Sequence, residues 1–462
     1  MSFGINATIT RVRSKLDIGC IFFLIAGVVL FHILPSHIFS PIFIFVLGLA
    51  LGLLMITILA PEDFNFLFKL YMAGFFLRVL LSLLFFNLAF IFKGDESNGF
   101  FFSNDGWCYS EQGWQLYQFA QRGIYIKLEE FLSNSYIEIM SGTITPYDYF
   151  NSFVYSFTGK SPLSLFFINS IAGSIAAVFI YLIAKELFSK KVARISSLFA
   201  FFWPSFIMWS TQNLKDSIIA MLIFILLWAI FYSYKKSFYV FLAISVLSAW
   251  WLYKLSLAFF GMTMVSLFFS AVFLFFNHFF KNRLVTIFVM GFLCAIVIII
   301  LSNSVLSMVF GQGFFEGGYF SSIFEFFDYH RSVRAAGNLQ FLKNVDLSSP
   351  GRLLFFAPIG FLCAILAPFP WQIRSAIQIL ALPETIIFYL LLPVTIRGII
   401  FSYRKRFNRS LVLLSIILFM LFFLGLVEGN AGTLFRHRSV AFYLLFIFTS
   451  VGMSLKDGKT HD

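Results

Sequence analysis

The sequence predicts an all-α polytopic integral membrane protein, a bundle of about twelve transmembrane helices plus one re-entrant or interfacial segment. Three observations carry this. The chain is 60% hydrophobic and only 12% charged, where a soluble domain carries about 25% charge. Apolar runs of 18 or more residues recur along its 462 residues, each long enough to cross a hydrocarbon layer of roughly 30 Å. The alternating short segments of a membrane barrel are missing.

The elements follow in order. "MSFGINATITRVRSK" is basic and runs into an apolar stretch without an A-x-A-like site, the pattern of an uncleaved start-transfer anchor. Spans are expected at about 17–34, 40–60, 70–92, 163–184, 195–210, 216–233, 238–253, 256–276, 285–309, 378–396, 409–427 and 437–455. Arg11, Arg13 and Lys15 put the N-terminus in the cytoplasm, because short loops rich in Lys and Arg stay inside. The loops with Lys185/Lys190/Lys191/Arg194, Lys235/Lys236 and Lys281/Arg283 then fall on the same side. So must Arg397, Arg404, Lys405, Arg406 and Arg409. That requirement decides the apolar segment 352–372. As a full span it would turn the cluster outward, so it is expected to re-enter or lie at the interface, broken by Pro358, Pro368 and Pro370. Both termini are then cytoplasmic in the cell's inner membrane. The single transmembrane domain, 1–462, carries a first large extracytoplasmic loop at 93–161 and a second at 310–372.

The net charge of +12 follows from this topology and does not indicate nucleic acid, since no basic run is long or interleaved with aromatics. Cys20, Cys108, Cys294 and Cys363 are isolated, and no Cys/His metal spacing exists.

The informative charges are the basic residues left on the outer face: Lys215, Lys254, Arg331, Arg334, Arg436 and Arg438. Charge near a bilayer is costly and usually has a partner or a role. Several cations at one interface suit a phosphate head group, with Arg as a bidentate fork and Lys as a point charge. Lys215 and Asp216 open a span, where free helix N–H groups add anion affinity. The ordinary readings are an interfacial ion pair for Lys215–Asp216 and a snorkelling anchor for "FRHR" at 435–438. His437 reads as a satisfied interfacial residue.

The stretch "SNDGWCYSEQGW" at 103–114 is polar in apolar surroundings. Tyr109, Gln112, Leu116 and Phe119 recur at helical spacing, predicting an amphipathic surface helix anchored by Trp107 and Trp114. Spacing alone makes Asp105 the helix N-cap. The functional reading makes it a positioned base beside the cations.

"SNDGWCY" is similar to the Asp-containing motif of the GT-C membrane glycosyltransferases. The segment 198–224, with Pro204, Trp209, Ser210, Lys215 and Asp216, resembles bacterial members of glycosyltransferase family 39, the protein O-mannosyltransferase type. The stretch 162–204 with Asn169, "APFPW" at 367–371 and "GTLFRHR" at 432–438 add to the likeness, which runs over roughly 70–455. The resemblance implies a GT-C-like helical bundle that moves a sugar from a polyprenyl-phosphate donor to an extracytoplasmic hydroxyl with inversion. It implies Asp105 as catalytic base. Lys215, Arg436, Arg438 and, more weakly, Lys254 would bind the donor phosphate. Asn104, Tyr109, Asp216, Arg331 and Arg334 would shape the acceptor site. Some members use a divalent metal, Mg or Mn, and others none. A metal here would need further carboxylates such as Asp148, Glu316, Glu325 or Asp328. Asn104 stands where some members have a second acidic residue.

Two other classes compete. A Wzy-like polysaccharide polymerase would place its catalytic Arg residues late, as in "RSVRAAGNLQ" at 331–340. A lipid-linked-sugar flippase would line its path with mid-span charge, of which Arg78 is the clearest example. The expected partners are the lipid-linked donor and membrane lipid. The sugar, the acceptor and any protein partner are not written in the sequence.

Overall fold

A computed structural model describes residues 36–94, 99–101, 104–123, 138–139, 142–233, 238–280, 323–335, 345–372 and 376–455. The expected spans at 17–34 and 285–309, and Glu316, lie outside the described residues. The rest is almost entirely helical. In chain order the helices are α1 (Ser36–Leu59), α2 (Phe64–Lys93), α3 (Asn104–Gln121), α4 (Pro146–Thr158), α5 (Pro162–Leu187), α6 (Lys190–Phe202), α7 (Pro204–Ser210), α8 (Asp216–Tyr232) and α9 (Phe238–Leu255). They continue with α10 (Leu257–Phe280), α11 (Ile323–Arg334), α12 (Pro350–Leu366), α13 (Ala376–Lys405), α14 (Phe407–Val427), α15 (Ala431–His437) and α16 (Ser439–Ser454). Glu138–Ile139 and Gly142–Thr143 form a two-residue antiparallel ladder before α4.

Among the described residues, seven helices are long and apolar enough to cross a membrane, or eight if the bent pair α6–α7 is one span. The protein is thus a multi-pass, all-α membrane protein. The expected span at 195–210 is that bent pair, turned by 54°. Pro204 opens α7 and has no N–H to offer the Ala200 carbonyl one turn back. Hydropathy reads straight through such a break.

The segment 352–372 also differs from expectation. Pro358 does not break it: α12 is continuous from Pro350 to Leu366, as helices of membrane proteins tolerate Pro where neighbours support the backbone. The helix stops at Ala367, before Pro368 and Pro370. Its 17 residues span about 25 Å, less than a typical hydrocarbon core.

The chain divides into two compact units, Met1–Ile183 with Ala200–Ser256, and Ala184–Phe199 with Leu257–Asp462. In the first, α3 lies against α4 and α8 against α9. Arg78 on α2 is fully buried. It donates to Ser210 Oγ (2.9 Å), Phe201 O (2.9 Å), Ala200 O (3.3 Å) and Gly74 O (3.1 Å). Helix ends leave carbonyls without donors; Arg78 supplies them at the α6–α7 break. Its charge therefore has a structural explanation and gives no support to a transport path.

In the second unit, helices touch through small and hydroxyl residues, as expected where lipid removes the hydrophobic drive. Thr395 and Thr449 bond at 2.8 Å between α13 and α16, and Ser270 and Ser415 at 2.5 Å between α10 and α14. Gly360 and Gly425 let α12 and α14 meet backbone to backbone, where a Cβ on Gly360 would stand 2.6 Å from the Gly425 carbonyl.

Candidate functional site

In the first unit the site is built around the start of α3. The helix begins at Asn104, so Asp105 is in its first turn and not at the cap position that spacing indicated. A carboxylate there still gains from the helix dipole. Asp105 is exposed. The face of α3 turned inward is Gly106, Ser110, Gly113 and Leu116; of the four positions picked out by helical spacing, Leu116 lies on it. Close packing sets this face. A Cβ at Gly113 would meet Asn151 Cβ at 2.6 Å and the Asp148 carbonyl at 3.1 Å, so α4 approaches over glycine and Ser110, whose hydroxyl bonds Tyr155 OH at 2.5 Å. Trp107 is exposed and Trp114 packs on Tyr155.

A buried polar chain ties this helix start to the loop before α8. Asn169 Nδ2 donates to Tyr147 OH (2.9 Å), Tyr147 OH donates to Asn213 Oδ1 (2.8 Å), and Asn213 Nδ2 donates to the Gly106 carbonyl (3.0 Å). Tyr109 stands edge-on to Tyr147 at 5.1 Å. The same loop is held from below by Ser82, which donates to Thr211 O at 3.2 Å, and by Ser170, which donates to Ser210 O at 3.3 Å. It delivers Lys215, half-buried, and Asp216, buried, to the start of α8.

Asp148 is fully buried in the first turn of α4. Its Oδ2 accepts from Thr145 N at 2.6 Å and Thr145 Oγ1 at 2.7 Å, a capping box. Burial pushes its pKa up to about 6, against the opposing pull of the Thr145 bonds and the Lys215 charge. Among the described residues its Oδ1 has no hydrogen-bond partner. Burial, then the charges of Asp105 and Asp148, pushes up the Cys108 thiol, so both carboxylates act on one place. Lys254, in the last turn of α9, is buried at 4% exposure.

The second unit holds the other cations. Glu428, fully buried after α14, accepts at Oε1 from Arg334 (2.5 Å) and from His437 Nδ1 (2.9 Å). Burial raises its pKa, but His437 and Arg334 overcome this and hold it near 2. Arg331 donates to the carbonyls of Gly425, Leu426 and Glu428, each at 3.2 Å, and lies 4.5 Å from the Phe356 ring. Arg436, half-buried, places Nη2 3.4 Å from His437 Nε2. Arg438 is 4% exposed, donates to Ala364 O (3.0 Å) and Ile365 O (3.1 Å), and lies 4.6 Å from both Phe435 and Phe442. It completes the C-terminus of α12.

The structure thus groups Asp105, Tyr109, Lys215 and Asp216 in one unit, with Asn104 at the first position of α3. In the other, Arg331 and Arg334 meet Glu428, and Arg436 reaches its partner His437. Asn213, Tyr147 and Glu428 were not singled out from sequence. Asn213 and Glu428 do lie in the polar stretches "STQNLKD" and "EGNAGTLFRHR". Among the described residues no three His, Cys, Asp or Glu side chains gather to hold a metal ion. Asp328 accepts from Leu347 N at 2.7 Å in the second unit.

The fold and this site define a multi-pass membrane protein, and comparison with known families supports a membrane glycosyltransferase of the GT-C type. Residues 146–306, about a third of the chain, match the family model described as dolichyl-phosphate-mannose-protein mannosyltransferase. The match contains Asp148, Lys215, Asp216 and Lys254; Asp105 precedes it and Arg436 follows it. No curated protein and no solved structure matches the chain.

Proposed function

We propose that the protein transfers a sugar from a polyprenyl-phosphate carrier to an acceptor hydroxyl on the extracytoplasmic side, with inversion at the anomeric carbon. Asp105 takes the proton of the acceptor hydroxyl as its oxygen attacks that carbon. The bond from carbon to the lipid phosphate oxygen breaks on the opposite face, and the lipid phosphate leaves. Negative charge builds on the leaving oxygen, where preorganised cations contribute most. Lys215, Arg436 and Arg438 are the proposed donor-phosphate residues, with Lys254 as a weaker fourth. Asn104, Tyr109, Asp216, Arg331 and Arg334 are the residues proposed to shape the acceptor site.

The observation that supports this reading most is the polar chain from Asn169 to Gly106, which fixes the residue beside Asp105 to the loop that carries Lys215. A base and a cation on one rigid element is what inverting transfer from a phosphate needs. The test uses membranes from expressing cells with labelled polyprenyl-phosphate sugar and, separately, polyprenyl-pyrophosphate oligosaccharide. Label reaching a hydroxyl acceptor from the monophosphate supports the reading. Transfer from the pyrophosphate alone favours the polymerase and sinks it.

A further inference from the structure

The C-terminal part of α13 carries two neighbouring rows of side chains four residues apart, Arg397–Phe401–Lys405 and Ile396–Ile400–Arg404. Both line one cleft of about 510 Å³, with Leu455 after α16 at its end. A cleft of this size is in the range that binds small ligands. Its floor is hydrocarbon: Ile396 and Ile400 are 48% and 47% exposed. Its rim is cationic. Among the described residues Arg397, Arg404 and Lys405 have neither an ion pair nor a hydrogen bond, in contrast to Arg406 beside them, which donates to Leu187 O at 3.3 Å.

A basic loop at the cytoplasmic face explains the charge but not its placement over an open apolar floor. An apolar floor facing lipid explains the isoleucines but not three cations lining the same cleft. One ligand chemistry satisfies both, a phosphate joined to an acyl chain. We infer that this cleft binds an anionic phospholipid, its phosphate held by Arg397, Arg404 and Lys405 and its chain laid along Ile396, Ile400 and Phe401. Basic pockets between membrane helices on the cytoplasmic side bind anionic head groups by this combination. None of its lining residues is among those proposed for transfer.

Native mass spectrometry of the full chain in detergent tests it, with phosphatidylglycerol, phosphatidylcholine and free glycerol phosphate as probes. The expected result is retained phosphatidylglycerol, little phosphatidylcholine and no competition from glycerol phosphate. Replacing the three cations (Arg397→Gln, Arg404→Gln, Lys405→Gln) is expected to weaken phosphatidylglycerol binding about a hundredfold, from about 1 kcal/mol for each basic group. Ile400→Trp, which fills the floor and keeps the charges, is expected to weaken it as well, and serves if the triple variant does not fold. Equal retention of both lipids, displacement by glycerol phosphate alone, or binding untouched by either substitution set would overturn the inference.

Discussion

Asn213 Nδ2 donates to the Gly106 carbonyl at 3.0 Å, joining the residue after Asp105 to the residue two before Lys215. The bond crosses 107 positions of sequence and leaves little freedom, since a Cβ on Gly106 would stand 3.0 Å from the Asn213 carbonyl oxygen. Asn213→Asp keeps the acceptor for Tyr147 and removes the donor to Gly106. Sugar transfer is expected to fall about 10- to 100-fold, the scale of a misplacement near 1 Å, and stability in detergent by about 1–3 kcal/mol for the stranded Gly106 carbonyl. Unchanged kcat in Asn213→Asp would separate this bond from catalysis.

Asp148 gives stability a pH dependence of unusual sign for a carboxylate. Its pKa is raised from 3.8 to about 6 in the folded protein, so the folded state holds a proton that the unfolded state releases. Its contribution is full below pH 3.8 and is lost as pH rises through about 6. Asp148→Asn is expected to remove that decline from the thermal midpoint measured between pH 4 and 7, a difference of up to about 3 kcal/mol.

Glu428 works in the other direction. Arg334 and His437 hold its pKa near 2 against 4.5 unfolded, so its contribution is present above pH 4.5 and is lost as pH falls toward 2. Glu428→Gln strands Arg334 and His437. Because Arg334 is 36% exposed, the cost is expected at about 2–3 kcal/mol, below the range for a fully buried pair. Denaturant titration at pH 7 measures it, and a loss under about 0.5 kcal/mol would remove Glu428 as the centre of the cluster.

Arg78 is expected to be indispensable for folding rather than for transfer. Arg78→Met leaves the Ala200 and Phe201 carbonyls without donors at the α6–α7 break, at about 1–3 kcal/mol for each buried group. The yield of monodisperse protein in detergent is the readout. A well-folded variant that has lost only transfer would contradict the structural role.

Much of the helical layout was legible in the sequence, because hydropathy over 18 residues is a strong signal. The runs at 40–60, 216–233 and 409–427 correspond to Ser36–Leu59, Asp216–Tyr232 and Phe407–Val427. What was not legible depends on the environment of single residues. The inward face of α3 is set by Gly106 and Gly113, whose role is closeness rather than apolarity. Charge and side of the membrane singled out Arg438, but they could not show that its Nη1 donates to the end of α12, 73 and 74 residues away. Asn213 and Tyr147 have no local pattern, because the bond that matters joins distant segments.

The central claim is that Asp105 is the base. Asp105→Asn keeps size and hydrogen bonding at the start of α3 and removes the proton acceptor. Transfer from labelled polyprenyl-phosphate sugar, measured in membranes at equal protein level, is expected to fall at least about a hundredfold, with donor retention unchanged. Wild-type transfer rates in Asp105→Asn would contradict it and return Asp105 to the role of a first-turn carboxylate.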